Sequence, residues 1–151
     1  MEEDIFEAYP VSKQGSTSGT GALQYFINYL NVLEGIKTKI KNLHWAAKKL
    51  PVEERLEEHQ ILDDLLEEVS EYQDKIAEFS QGILGHMDMD VIQGVYFKVQ
   101  RIGSLIKYIL DQTIPFYENM PKDTVWVGLK SETETFIFNV GKYKYLFELG
   151  E

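Results

Sequence analysis

Apolar residues recur at helical spacing from Thr20 to about Lys48, at Leu23, Phe26, Ile27, Leu30, Leu33, Ile36, Ile40, Leu43 and Ala47. This pattern predicts an amphipathic helix over 20–48, capped near Ser18 or Thr20. A second stripe, Leu62, Leu65, Leu66, Val69, Tyr72, Gln73 and Ile76, predicts a helix over 51–82. Pro51 suits its first turn, Glu53 and Glu54 suit the positive end of its dipole, and Gly82 suits its stop. A third, with Val91, Val95, Val99, Ile102, Ile106, Ile109, Leu110 and Tyr117 in register, predicts a helix over 89–119 whose last turn Pro115 should kink. Phe136, Ile137, Val140, Tyr143 and Phe147 predict a fourth over 131–149, with Ser131 and Glu134 as a capping box. The same residues also alternate well enough for a hairpin turning at Val140-Gly141, and Val125 to Val127 fit a loop or short strand. Four such helices make an all-α bundle. A short link between the second and third gives up-down-up-down topology, whereas a crossover over residues 83 to 103, allowed by Gly94 and Gly103, makes the third much shorter.

The chemistry concentrates between His44 and Glu78. His59 and Asp63 stand four apart, as do Asp74 and Glu78, so on a helix each pair shares a face within reach of one cation. At about 100° per residue the four fall within an arc of about 100°, a polar strip flanking the apolar stripe. Asp63 and Asp74 lie about 16 Å apart along the axis, too far for one ion with ~2 Å bonds. Their positions are nevertheless symmetric, since 59 and 78 share a midpoint with 63 and 74. Two antiparallel copies of this helix would set His59 and Asp63 of one chain opposite Glu78 and Asp74 of the other. The spacing therefore predicts a two-fold dimer with two equivalent metal sites. His44 and His59 flank the turn at Pro51 at similar depth, which makes His44 a candidate ligand as well. Trp45 adjoins the site, with core packing as its other role, and Glu67 projects towards the strip as an auxiliary cation contact. The remaining acids of this helix read as a solvated face, and His86 as a surface residue.

Lys41, His44, Trp45, His59, Asp63, Asp74, Ala77 and Glu78 together resemble the ferroxidase segment of the Dps mini-ferritins. The resemblance implies a ferritin-like antiparallel four-helix bundle. It also implies Fe(II) held by His44, His59 and Asp63 of one subunit with Asp74 and Glu78 of its dimer mate, and oxidised by peroxide or oxygen. Other divalent metals suit the same donors. The stretch is also similar to small ferritin-like proteins carried by bacteriophages, which share the His-Trp, a longer turn and a Glu followed by Gln-Gly near the helix end. The chain departs from the Dps pattern in its longer interval between the two histidines, in Phe79 where an Arg is expected, and in a region after Glu78 that is short for the family's crossover and closed shell.

Composition narrows the setting. A chain of 151 residues is one domain, and without cysteine it needs no oxidising compartment. No signal-peptide pattern opens it and no apolar run of about 18 residues occurs, so a cytoplasmic protein of a bacterium or its phage is expected. A formal charge of -10 argues against a nucleic-acid partner and suits cation attraction, though it serves solubility equally. Residues 1–19 form a tail with a hinge at STSGTG and an apolar cluster of Ile5, Phe6, Tyr9 and Val11. That cluster either docks on another subunit or protein or packs on its own bundle. Two functions follow as expectations: an iron-binding ferroxidase working as a homo-oligomer of at least a dimer, or a non-catalytic helical interaction or assembly protein with a Dps-like core, such as a phage structural component.

Overall fold

The computed structural model describes residues 19–47 and 51–149, with the side chains of 19, 20, 53, 54 and 147–149 left aside. The tail's hinge and apolar cluster, the cap at Ser18, and the side chains of Glu53, Glu54 and Phe147 lie outside what is described. Four α-helices carry the fold: α1 (Gly19–Ala46), α2 (Val52–Leu84), α3 (Ile102–Glu118) and α4 (Val127–Leu149). No strand occurs among the described residues. Both α1 and α4 pack on α2 and on α3, so each helix has two principal neighbours around one core.

The first two helices match their apolar stripes. Phe26, Leu30, Leu33, Ile36 and Ile40 of α1 and Leu62, Leu65, Val69, Tyr72 and Ile76 of α2 are buried. Tyr25 and Tyr29, outside the predicted stripe, are wholly buried too. Their rings complete an aromatic layer: Tyr29 stacks on Phe116 at 3.7 Å between centroids, and Tyr72 on Phe136 at 4.0 Å. Each hydroxyl in this layer has a partner, as burial demands. Tyr25 donates to the Phe116 carbonyl, Tyr29 to Thr113 Oγ1 at 2.8 Å and Tyr72 to Thr133 Oγ1 at 2.9 Å.

The predicted third helix was too long. Residues 85–101 are not α-helical but an extended crossover, broken by a short 3-10 turn at Met89–Val91. The spacing of Val91, Val95 and Val99 imitates a helix, but tertiary hydrogen bonds hold this backbone. Asn31 Oδ1 accepts from the Gln93 and Gly94 amides at 2.9 and 3.1 Å, and the Asn31 carbonyl from Val95 N–H at 3.1 Å. Gly94 adopts φ 98°, open to glycine and poor for other residues. Gly35 of α1 is the matching contact, because a Cβ there would lie 2.1 Å from the Val95 carbonyl oxygen. The longer of the two anticipated connections is therefore the one present, and Pro115 lies within the last turn of α3.

The C-terminal segment is a helix and not a hairpin, and it begins at Val127, ahead of the predicted start. Ser131 and Glu134 thus stand inside α4 and do not form a cap. Residues Thr124–Trp126 make a 3-10 turn whose Trp126 ring stacks on Phe26 at 4.7 Å. At the end of α2 the stop falls at Gly85, φ 96°, whose N–H reaches the Gln81 carbonyl.

Candidate metal centre

Pro51 stands just ahead of α2 as its N-cap, with φ -54° and ψ 149°, and its carbonyl receives the Arg55 N–H at 2.8 Å. Across the turn, α1 presents His44 and α2 presents His59 and Asp63. Gln73 fixes the two helices lower down. It reads as part of the apolar stripe and is buried, but its amide donates to Glu34 Oε1 at 3.0 Å and its carbonyl receives Lys37 Nζ at 2.8 Å. An amide within an apolar stripe was the signal for this bridge, which holds α1 against α2.

His44 Nε2 lies 3.2 Å from His59 Nδ1 and 3.2 Å from Asp63 Oδ1, and His59 Nδ1 lies 3.8 Å from Asp63 Oδ2. One donor atom from each residue falls within 4.8 Å of the others. Ligands on one ion with bonds of ~2.1 Å sit about 3.0–3.5 Å apart, so two imidazole nitrogens and a carboxylate at this spacing fit around a single divalent ion. The cluster opens to solvent: the side-chain exposures of His44, His59 and Asp63 are 26%, 48% and 53%. Three protein donors and an open side leave coordination positions for further ligands.

Asp74 and Glu78 do not join this cluster within one chain. Both are exposed on α2, and neither forms an ion pair among the described residues. Glu78 borders an open groove of about 530 Å³ between α2 and α4, floored by Phe79 and Leu129 and rimmed by Lys75 and Glu132. Trp45 is 65% exposed, which excludes core packing and leaves its ring free beside His44. Glu67 is exposed. It also acts on α4, where burial first, then the carboxylates of Asp64, Glu68 and Glu67, push the Tyr143 hydroxyl pKa up. His86 is exposed, as expected. Sequence reasoning missed Val52 and Leu56, which continue the strip of His59 and Asp63 one turn at a time and are 63% and 70% exposed. Their spacing of seven from His59 and Asp63 was the available signal. No helix among the described residues is long and apolar enough to cross a membrane.

No protein-family model matches this chain, and neither a curated protein nor a solved structure matches it.

Proposed function

We propose that this chain is a ferritin-like, Dps-type iron-binding protein. In this reading it oxidises Fe(II) with peroxide or oxygen at sites shared across a two-fold dimer, for iron sequestration or oxidative protection. The observation that carries the reading is the convergence of His44, His59 and Asp63 from two helices into one solvent-open donor set. Helix order supports it. Residue pairs run in opposite senses along three of the four touching pairs of helices: His44 with His59 and Glu34 with Gln73, Tyr25 with Phe116 and Tyr29 with Thr113, Lys75 with Glu132 and Glu68 with Asn139. Neighbouring helices read this way are antiparallel, and one long crossover joins the second to the third, as in ferritin-like bundles.

Fe(II) is the substrate. His44 and His59 offer neutral imidazole nitrogens suited to Fe(II), and Asp63 adds a hard oxygen that favours the Fe(III) product. Asp74 and Glu78 of a second copy would bring two more carboxylates to the open side. Each Fe(II) gives up one electron, so one peroxide takes electrons from two of them and, with two protons, leaves as two waters. The exposure of Asp74 and Glu78 without ion-pair partners suits that role.

The test is anaerobic Fe(II) titration followed by peroxide, with Fe(III) absorbance read beside a His59→Ala, Asp63→Ala double variant. Saturable binding and fast oxidation, both lost in the variant, support the reading. Oxidation no faster than buffer and equal in both proteins would sink it. Subunit sharing has its own test, because the His59/Asp63 variant mixed with an Asp74→Ala, Glu78→Ala variant rebuilds one intact site in each mixed dimer. Recovery to about a quarter of the unmodified activity is expected from random pairing, and no recovery would place all ligands in one chain.

A second reading, a helical assembly protein without turnover, draws on the outer face of α4. There Phe138, Tyr145 and Leu146 are 66%, 62% and 52% exposed. Intact ligands with no iron bound would favour it.

A further inference from the structure

The net charge of -10 conceals a separation of charge. Residues 35–52 and 91–110 hold eight of the chain's fifteen Lys and Arg residues and none of its 25 acids. The fold lays the described parts of these two acid-free segments side by side: Gly35 touches Val95, Lys39 lies over Tyr96 and Phe97, and at the far end Leu43 and Ala46 border the same recess as Gln100 and Arg101, where Glu58 of α2 brings in one carboxylate. Two of the eight find carboxylates just outside their segments, Lys37 with Glu34 and Lys107 with Asp111, as Lys75 does with Glu132 on another face. Along this strip Lys39, Lys41, Lys98 and Arg101 form no ion pair with any described carboxylate. Around Lys39, where no carboxylate lines the surface, unpaired positive charge raises the local potential and attracts an anion.

A cleft of about 160 Å³ opens in the strip, between α1 and the crossover. Thr38, Lys39, Asn42, Gln93 and Tyr96 line it, and no carboxylate does. The ammonium of Lys39 stands 5.3 Å from the Tyr96 ring centroid, while that ring is 66% exposed. An ammonium beside amide donors is the equipment for a phosphate, and an exposed aromatic face adjoining them is a stacking surface for a flat base.

We propose that this cleft binds a free nucleoside phosphate, its phosphate on Lys39 and Asn42 and its base on the open face of Tyr96. A mononucleotide fits better than a strand. The strip spans about 17 Å along α1, from Gly35 to Ala46, and a longer polyanion would run over the acidic remainder of the surface. The site stands apart from the histidine cluster and does not depend on the iron reading.

The test titrates the full chain with adenosine monophosphate by calorimetry, in a metal chelator so that phosphate held through a metal at His44 and His59 cannot imitate the site. Inorganic phosphate and a ten-nucleotide single strand serve as comparisons. Saturable binding of the monophosphate, weakened tenfold or more by Tyr96→Leu and by Lys39→Gln and changed less than twofold by Lys107→Gln, is expected. Circular dichroism confirms that each variant is folded. Absence of binding, or binding unchanged by both cleft variants, overturns the proposal. Inorganic phosphate binding as tightly as the nucleotide overturns the role given to Tyr96. A strand that binds more tightly per nucleotide than the monophosphate overturns the choice of a free ligand.

Discussion

The two ends of α1 are built on opposite principles. Near its start, Tyr25, Phe26 and Tyr29 meet Phe116 from α3, and Tyr29 also meets Tyr72 from α2; every hydroxyl of Tyr25, Tyr29 and Tyr72 has a partner. Near its finish, about 22 Å further along the axis, His44 faces His59 and Asp63 across an opening to water, with Trp45, Val52 and Leu56 exposed around them. The first end stabilises the bundle through dense packing and satisfied polar groups. The second contributes little burial and keeps its donor atoms available. The candidate donor set sits at the solvent-open end of the α1–α2 pair, positioned by a core that does not share its residues.

Alkaline pH should break the comparison most completely. Burial pushes the Tyr25, Tyr29 and Tyr72 hydroxyls well above their ordinary pKa of 10.0, because each phenolate would lie in an apolar layer. The sign follows from linkage: below pH 10 both folded and unfolded tyrosines keep their protons and stability is unaffected. Above it the unfolded chain releases protons that the folded chain retains, so stability falls as pH rises. Phenolate absorbance of these rings should therefore appear together with loss of helical circular dichroism, and ionisation in a still-folded protein would contradict the packing described.

Next in size is Phe116→Ala. It removes the ring stacked on both Tyr25 and Tyr29 and should destabilise by about 3–5 kcal/mol in denaturant unfolding. Gly35→Ala follows, at about 1–3 kcal/mol, because its Cβ meets backbone and not a movable side chain. It should also release protection from hydrogen exchange at Gln93, Gly94 and Val95, whose amides the contact with Asn31 shields. Tyr72→Phe should cost about 1 kcal/mol, since Thr133 keeps its bond to the Leu129 carbonyl at 2.9 Å. Smallest of all, His59→Ala should change stability by no more than about 0.5 kcal/mol, as an exposed group. In the proposed function the same change abolishes Fe(II) binding, so a large loss of stability there would erase the distinction between the two ends.

Legibility followed the same division. His59 and Asp63 could be paired from spacing, because four residues on one helix set their relation without help from the rest of the chain. His44 could be placed beside them since a short turn leaves two helices little choice of depth. Tyr25 and Tyr29 escaped because a phenol reads as half-polar, and only Thr113 and the Phe116 carbonyl make their burial affordable. The crossover escaped for a stronger reason: its valines are spaced as in a helix, while the groups that keep it extended belong to Asn31, some sixty residues earlier. Gln73 stood out as an amide in an apolar stripe, but its partners Glu34 and Lys37 on α1 could not be read from α2 alone.

By itself the sequence determined what short-range geometry controls: four helical stretches, the α1–α2 turn at Pro51, and the shared face of His59 and Asp63. Tertiary structure decided where α3 begins, that the last segment is a helix starting at Val127, and that the cationic residues of two distant segments lie together. Helical periodicity is a property of neighbours along the chain. Crossover path and charge clustering depend on groups far apart in sequence, and only folding brings those groups within hydrogen-bonding and Coulombic range.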